Sequence, residues 1–351
     1  MNIRECLKDL VPYTQGKSKA GAIKLSSNEN PLGVSPKARE AIGLELSKVC
    51  LYPDGSCAEL KSALASKYSL LPGNFSIGNG SDEILLLIAG AYIEPGDNTI
   101  TSEKTFSEYT FATKLFGGSI RYASMQNGMF LLDKIASMID NKTKIIFLCN
   151  PNNPTGTYFS NTALVEFIKK VPTNVLVVID EAYIEYTDAD DIPDSISLMK
   201  LYSNVIVLRT FSKIYGLAGL RVGYGISSPS VIFDLEKARA PFNVNSLSQS
   251  AAIAALNDDV FVKMSRKINN EGKIFLYKSF ERLGLKYYPT QANFILVYVN
   301  QDCTAAFEKI MNLGVTVRPL KSFGINDAIR VTVGTAEQNE IFIRCLENIL
   351  L

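Results

Sequence analysis

Between about Asn74 and Glu236, short runs of β-branched residues alternate with amphipathic segments of helix length. This alternation is typical of βα units that assemble into a mostly parallel sheet. Several of the runs are apolar at consecutive positions, as expected of strands that helices cover on both faces. We therefore predict an α/β fold with strands near 98–101, 119–123, 144–148, 175–179, 204–208 and 222–226.

The pattern changes after Pro241, where helical stretches near 246–257 and 260–283 precede strands near 293–299 and 329–333. At 351 residues the chain is longer than one small core usually supports. We predict an N-terminal arm (1–30) that packs on the small domain or on a partner subunit. A large domain (31–241) and a smaller α+β domain (242–351) would follow it.

The sequence contains no histidine. This absence excludes Ser-His-Asp and Cys-His nucleophile systems and most zinc or iron sites. The six cysteines include no C-x-x-C pair, so we predict reduced, mostly buried thiols and no metal site. Any chemistry must then depend on Lys, Asp, Tyr or Arg side chains.

The charges are balanced, with 36 basic and 35 acidic residues interspersed along the chain. They leave no basic stripe for nucleic acid. No apolar run approaches the roughly 20 residues that cross a bilayer, and the first residues lack the apolar core of a secretory signal. We predict a cytoplasmic protein that binds small molecules and neither nucleic acid nor membrane.

Two predicted strands lead into side chains that suit one cofactor. Asp180 follows the strand at 175–179, and Lys213 lies five residues after the strand at 204–208. Ligands of open α/β sheets bind at this carboxyl edge. A desolvated lysine is nucleophilic towards an aldehyde, and a buried carboxylate complements a pyridinium nitrogen, which together favour pyridoxal 5'-phosphate (PLP). From these two residues alone, a helix cap at Asp180 and a surface charge at Lys213 stay equally open.

A short turn before an apolar helix offers a place for a phosphate. Gly80, Ser81 and Asp82 precede the run that begins at Ile84. The free N–H groups and the positive dipole end of a helix attract anions, and Arg221 would supply the counter-charge. An ordinary helix cap is the alternative interpretation of this turn.

The loop 150–156 follows another predicted strand and contains two prolines, which predicts a rigid segment at the same edge of the sheet. Its Asn153 has an amide that can donate a hydrogen bond to a phenolate-like oxygen, as can the hydroxyl of Tyr183. A turn in which Asn and Pro serve only the backbone geometry stays open.

Ordered motifs occur over nearly the whole chain. The N-P-x-G motif begins at Asn153, and an S-K-x-x-x-L-x-x-x-R motif runs from Ser212 to Arg221. Further matching segments are 10–13, 24–33, 52–55, 180–183, 241–244, 318–319 and 329–335. In these segments the chain resembles the fold type I, PLP-dependent aminotransferases, and within them the histidinol-phosphate aminotransferase family.

The resemblance implies roles for individual residues of a large, PLP-binding domain. Lys213 would carry the cofactor and move the proton between Cα and C4′, and Asp180 would pair with the pyridinium nitrogen. Tyr183 and Asn153 would contact the 3′ oxygen. Phe106 matches the aromatic position that stacks on the cofactor, where many relatives have tyrosine. The residues around the phosphate would be Gly80, Ser81, Asp82, Thr210, Ser212 and Arg221.

The resemblance also implies a substrate site and a partner subunit. Arg330 matches the arginine that grips the α-carboxylate of glutamate or the phosphate of histidinol phosphate, with Arg318, Tyr13 and Asn30 as helpers. Tyr52 would reach the cofactor phosphate of the neighbouring subunit in a symmetric homodimer. A solvated arginine at 318 and a half-buried core tyrosine at 52 stay open.

The implied activity is a ping-pong amino transfer in histidine biosynthesis. Glutamate and 2-oxoglutarate would form one couple, with histidinol phosphate and imidazole-acetol phosphate as the other. Three alternatives stay open. One is a PLP lyase resembling threonine-phosphate decarboxylase, whose relatives carry an N-terminal histidine that this chain lacks. The others are an aromatic amino acid aminotransferase and a non-catalytic sensor or regulator.

Overall fold

The computed structural model describes residues 1–8, 10–12 and 19–350, and Tyr13 therefore lies outside the described residues. The strands in chain order are β1 (Ile23–Lys24), β2 (Phe75–Gly78), β3 (Asn98–Ser102), β4 (Ser119–Ala123), β5 (Met125–Gln126), β6 (Met129–Phe130), β7 (Thr143–Cys149), β8 (Leu176–Asp180), β9 (Val205–Thr210), β10 (Gly223–Ile226), β11 (Phe294–Tyr298), β12 (Val315–Thr316), β13 (Arg318–Pro319) and β14 (Ala328–Thr332).

The α-helices are α1 (Pro36–Glu45), α2 (Ala58–Tyr68), α3 (Ser81–Tyr92), α4 (Glu108–Leu115), α5 (Leu132–Ser137), α6 (Asn161–Ile168), α7 (Ser195–Leu201), α8 (Pro229–Ala238), α9 (Ser246–Leu256), α10 (Asp259–Arg282), α11 (Cys303–Asn312) and α12 (Ala336–Leu350). Short 3₁₀ turns occupy Glu5–Leu7, Leu46–Lys48, Pro72–Asn74, Ile184–Tyr186, Ala218–Leu220 and Lys321–Phe323. Among the described helices, none is both long enough and apolar enough to cross a membrane.

A central sheet holds the strands in the order β2-β10-β9-β8-β7-β3-β4. The neighbours from β9 to β4 pair in parallel, whereas β10 is antiparallel to both β9 and β2. Every residue of β8 is buried, as its unbroken apolar run predicts. The predicted mostly parallel sheet is confirmed, although β2, with only four residues, was not among the predicted strands.

The central sheet lies in a large hydrophobic core. Ile84 and Ile88 of α3 and Leu235 of α8 are buried in it together with Phe147 and Leu208 of the sheet. Ala251, Ala252 and Ala255 of α9 belong to the same core. Helix α9 thus belongs to the core of the central sheet, where it packs against α1 and α2, although it follows the predicted boundary at residue 241. The predicted domain limits stay a prediction.

A second, smaller core surrounds the antiparallel sheet β11-β14-β13. An early segment of the chain joins this region, because β1 pairs in parallel with β12. Beyond β1, the Leu25 N–H donates to the carbonyl of Thr316, and the Leu25 carbonyl accepts from the Thr332 N–H, both at 2.8 Å. The chain around residues 25–28 is therefore held beside β12 and β14.

Candidate active site

One cavity of about 400 Å³ opens where β7, β8 and β9 end. Parallel strands deliver the residues at their carboxyl ends to this one edge. The predicted site residues in its wall are Ser81, Asp82, Phe106, Asn153, Asp180, Tyr183, Thr210, Ser212, Lys213, Arg221, Arg318 and Arg330.

Asp180 lies buried in the cavity wall. The Tyr109 hydroxyl donates to Asp180 Oδ2 at 2.7 Å, and the backbone N–H of Ala182 donates to Oδ1 at 3.2 Å. Burial raises the pKa of Asp180 to about 6, and the hydrogen bond from Tyr109 limits that rise. The carboxylate is therefore mainly ionised at neutral pH and oriented by two donors.

Tyr109 was not among the predicted site residues. Its ring is fully buried and stacks on Phe147, with ring centroids 4.9 Å apart. It also meets Phe106 edge to face at 5.7 Å. The only signal in the sequence is the spacing of three residues between Phe106 and Tyr109 at a helix start, which is weak evidence by itself.

Lys213 is half-buried in the cavity wall. Its Nζ donates to the carbonyl of Ser27 at 3.4 Å and lies 5.5 Å from the centre of the Tyr183 ring. Burial, together with a smaller effect of the Arg330 guanidinium, lowers the pKa of Lys213 to about 8. A larger fraction of this amine is neutral at pH 7 than of an exposed lysine, which favours attack on an aldehyde.

The N-terminus of α3 and Arg221 form an anion cradle that depends on two glycines. Gly80 has a φ of +86°, and a Cβ there would lie 2.5 Å from Arg221 Nη2. A Cβ on Gly223 would lie 2.4 Å from the backbone nitrogen of Ser81. Arg221 forms an ion pair with Asp82 at 2.9 Å. Because these glycines carry no Cβ, the backbone N–H groups at the start of α3 and the Arg221 guanidinium can lie side by side.

Two hydroxyl side chains adjoin this cradle. Ser212 Oγ accepts a hydrogen bond from Arg221 Nη1 at 3.4 Å. The Thr210 hydroxyl oxygen accepts from the backbone N–H of Ser212 at 3.1 Å. Hydroxyl and guanidinium donors beside a helix N-terminus suit a phosphate. Phe106 lies in the same cavity wall and presents a ring that a flat cofactor can stack against.

Arg330 lies in the cavity wall and is only 7% exposed. Its Nη1 donates to Asn153 Oδ1 and its Nη2 donates to the carbonyl of Ser26 at 2.8 Å. None of the described residues provides a hydrogen-bond partner for the buried Nε. Burial lowers the pKa of Arg330 to about 10, so the guanidinium stays cationic at neutral pH. An unsatisfied buried donor on a cation indicates a site for an anion.

The two predicted substrate arginines lie on neighbouring strands. Arg318 of β13 pairs in register with Arg330 of β14. Arg318 is half-buried, and its Nη2 donates to Ser322 Oγ at 3.5 Å. Two cations in one cavity wall repel each other unless an anion lies between them.

Asn28, which was not among the predicted site residues, lies in the cavity wall. Asn28 Nδ2 donates to the Tyr183 hydroxyl at 2.9 Å, and its backbone, at a φ of +60°, donates to Thr332 Oγ1 at 3.0 Å. Burial raises the pKa of Tyr183, which keeps its phenol protonated. The structure does not bring Asn30 into the cavity wall. Its amide donates to the carbonyl of Ile214 at 2.7 Å and to Ser265 Oγ at 2.8 Å.

Tyr52 also lies outside this cavity wall. Its side chain is 84% exposed and stacks on Phe242, with ring centroids 4.9 Å apart. A half-buried core position for Tyr52 is therefore wrong. Gly80 is not in the wall either, but it shapes the cradle through its contact with Arg221.

The cavity fits pyridoxal phosphate. A lysine, a buried carboxylate and an anion cradle lie around one space, and the close approach at Gly223 keeps the N–H of Ser81 open. A metal centre has no comparable support, since the described part of the chain holds no cluster of three or more Cys, Asp or Glu side chains suited to a metal ion.

Residues 20–346 match the family of class I and II aminotransferases. The chain belongs to this family. Over 357 residues it is 48% identical to the histidinol-phosphate aminotransferase of Moorella thermoacetica, covering 99% of this chain and 92% of the relative. The predicted membership among the aminotransferases is therefore confirmed.

Solved structures confirm the predicted fold type I architecture of this aminotransferase. A histidinol-phosphate aminotransferase from Sinorhizobium meliloti, solved in complex with pyridoxal-5'-phosphate, superposes with a TM-score of 0.90 at 26% identity and covers 99% of this chain and 97% of its own. L-threonine-O-3-phosphate decarboxylase from Porphyromonas gingivalis reaches 0.82 at 21% identity, with coverage of 93% and 99%. The second likeness shows the fold alone.

Proposed function

We propose that this aminotransferase uses pyridoxal phosphate to move an amino group from histidinol phosphate to 2-oxoglutarate, in histidine biosynthesis. The products are imidazole-acetol phosphate and glutamate. The observation that carries the proposal is the placement of Lys213, Asp180 and the unsatisfied Nε of Arg330 around one cavity. The similarity to histidinol-phosphate aminotransferases over the full chain supports the choice of substrate.

The cofactor end of the cavity contributes fixed charges and donors. Bound pyridoxal phosphate supplies an aldehyde that takes up amino groups and a ring that accepts electrons when the substrate Cα–H bond breaks. The Asp180 carboxylate keeps a ring nitrogen protonated, because a buried anion stabilises a nearby cation. Tyr183 and the amide of Asn153 donate to the 3′ oxygen. Arg221 and the N-terminus of α3 hold the phosphate, with Ser212 and Thr210 beside them.

Lys213 moves the proton. Its Nζ lies near Tyr183 and the carbonyl of Ser27, in the wall of the cavity where the substrate carbon must sit. A pKa of about 8 places this amine near the pH at which it can both accept and release a proton. Lys213 Nζ therefore takes the proton from the substrate Cα and returns it later in the cycle.

Arg330 and Arg318 hold the anionic end of each substrate. A planar guanidinium can bind either a carboxylate or a phosphate with two parallel hydrogen bonds. The same pair of cations can therefore take the α-carboxylate of glutamate and the phosphate of histidinol phosphate in turn. This exchange is what a ping-pong enzyme with two different substrates requires.

The active unit proposed here is a homodimer in which Tyr52 reaches the partner's cofactor phosphate. Tyr52 is exposed and follows a stretch of the chain in which Leu44, Leu46, Val49 and Leu51 are each more than half exposed. Clustered exposed apolar side chains are typical of a protein interface.

The test mixes Lys213→Ala subunits with Tyr52→Phe subunits. In a mixed dimer one site combines the intact Lys213 of one subunit with the intact Tyr52 of the other, so activity should return. A monomer by light scattering would refute the arrangement.

The proposed location is the cytoplasm. All six cysteines lie in the described part of the chain and none forms a disulfide. Unpaired thiols persist in a reducing compartment.

The test is an assay of glutamate formation by the purified, PLP-loaded protein, with histidinol phosphate as donor and 2-oxoglutarate as acceptor. Phenylalanine as an alternative donor separates this activity from that of an aromatic aminotransferase. Release of carbon dioxide from threonine phosphate would instead favour a lyase. Failure to form glutamate from histidinol phosphate, with phenylalanine used readily, would refute the proposed substrate while leaving the family assignment intact.

A further inference from the structure

The cavity has two chemically different parts. Arg318 and Arg330, from the small sheet, contribute cations to its wall. Asp82 and Glu108, from the first turns of α3 and α4, contribute carboxylates. Both parts act on Lys213: beyond the effect of burial, Arg330 lowers the pKa of Lys213 and Asp82 raises it. A substrate at Lys213 therefore meets the two arginines of the small sheet in one part of the wall and, beside the Asp82–Arg221 ion pair, the carboxylate of Glu108 in another.

Three carboxylates besides Asp180 line this wall, and two of them are already paired. Glu29 forms an ion pair with Lys24, and Asp82 forms one with Arg221 at 2.9 Å. Within the described residues Glu108 forms no ion pair; burial and the charge of Asp82 raise its pKa, and a hydrogen bond from the Ser107 hydroxyl limits that rise. Glu108 is half-buried, so its carboxylate is stabilised by any further hydrogen-bond donor. It is the carboxylate available to a ligand.

We infer that Glu108 determines substrate choice by accepting a hydrogen bond from a ring N–H of the imidazole of histidinol phosphate. The inference rests on the proposed function. The reacting carbon of this substrate carries the amino group, a hydrogen, the phosphate arm and the imidazole arm. With the carbon at Lys213 and the phosphate at Arg330, the imidazole must occupy the part of the cavity that the arginines leave free.

The wall of that part suits an imidazole. Glu108 lies in this wall two residues after Phe106, whose ring a flat cofactor can stack against, and its carboxylate offers an acceptor. An imidazole has an N–H donor that can use this acceptor. A phenyl ring has no such donor, and it would remove water from the Glu108 carboxylate without replacing the lost hydrogen bonds. Glu108 thereby selects against aromatic amino acids as much as it selects for imidazole.

The experiment compares kcat/KM for histidinol phosphate and for phenylalanine in the PLP-loaded enzyme and in Glu108→Leu and Glu108→Gln. Loss of a hydrogen bond to a charged acceptor should lower kcat/KM for histidinol phosphate by about 10- to 100-fold in Glu108→Leu. The value for phenylalanine should rise, because the leucine is apolar. Glu108→Gln keeps an acceptor and should lie between Glu108→Leu and the unchanged enzyme.

Glu94→Gln is the matched control, since Glu94 is exposed and lies outside the cavity wall. Opposite changes for the two donors support the inference, because a merely structural role of Glu108 would lower both values together. Equal losses for the two donors, or no loss for histidinol phosphate, would overturn it. If the unchanged enzyme itself rejects histidinol phosphate, the proposed function fails, and the role of Glu108 fails with it.

Discussion

The cofactor end and the substrate end of the cavity are built from different kinds of contact. Asp180, Thr210 and Lys213 lie at or just after the ends of neighbouring parallel strands, so the sheet fixes their positions. Arg330 instead depends on Asn153 and Ser26, which are 177 and 304 residues away in sequence. The residues that act on the cofactor therefore lie at the edge of the parallel sheet. The arginine proposed to bind the substrate is instead positioned by contacts between segments that are distant in sequence.

The largest expected effect lies at the cofactor end. Replacing Lys213 with alanine removes the amine that binds the cofactor and moves the proton, which should lower kcat by about 10²- to 10⁴-fold or more. The visible absorbance of the bound cofactor should change at the same time. Lys200→Ala, which removes an exposed lysine, serves as the control. Near-normal turnover in Lys213→Ala would show that the chemistry does not depend on this lysine at the cofactor end.

The buried carboxylate should give a pH-dependent stability. The pKa of Asp180 is raised from 3.8 to about 6, so the folded, cofactor-free protein holds this proton more tightly than the unfolded chain. The contribution of this group to the free energy of unfolding is fully present below about pH 4. It is lost as the pH rises through about 6, which lowers the free energy of unfolding by about 3 kcal/mol. Asp180→Asn should lose this dependence, as measured by chemical unfolding at several pH values.

The control for this measurement is Asp133→Asn, which removes an exposed carboxylate that forms an ion pair with Lys170. It should leave the pH dependence of the unfolding free energy as it is in the unchanged protein. If Asp180→Asn shows the same dependence as this control, Asp180 is not the group responsible.

At the substrate end, the two arginines should differ in importance. Arg330→Lys keeps the charge but loses the fork that reaches Asn153 and Ser26, so the KM for histidinol phosphate should rise by about 10- to 100-fold. Arg318 is more exposed, and Arg318→Lys should raise KM by only about threefold. Steady-state kinetics of the two variants test this order. The reverse order would make Arg318 the main anion site.

The smallest kinetic effect is expected at Asn30. Its amide is bonded to Ile214 and Ser265, so Asn30→Ala should lower the unfolding free energy by about 1–3 kcal/mol. The KM should change by less than about threefold. Asn28→Ala, which removes the donor to Tyr183, is the matched variant and should alter KM more. A larger change in KM for Asn30→Ala would restore Asn30 to the substrate site.

Much of the cofactor end could be predicted from the sequence, because strand ends are local features. The unbroken apolar runs before Asp180 and Arg209 marked two buried strands, and the residues just after them reach the cavity. Tyr109 could not be found in this way. It lies on a helix, and only the packing of that helix against the sheet brings its hydroxyl to Asp180.

The sequence by itself determined the α/β order of elements and the family, since hydrophobic period and ordered motifs are properties of the chain alone. Only the tertiary structure shows that Asn28 lies in the cavity wall and Asn30 does not. The two residues are near neighbours with the same side chain, yet the positive φ of Asn28 and its bond to Thr332 turn one amide towards Tyr183. The physical reason is that a side chain's partners depend on backbone direction and on distant strands, which no local pattern encodes.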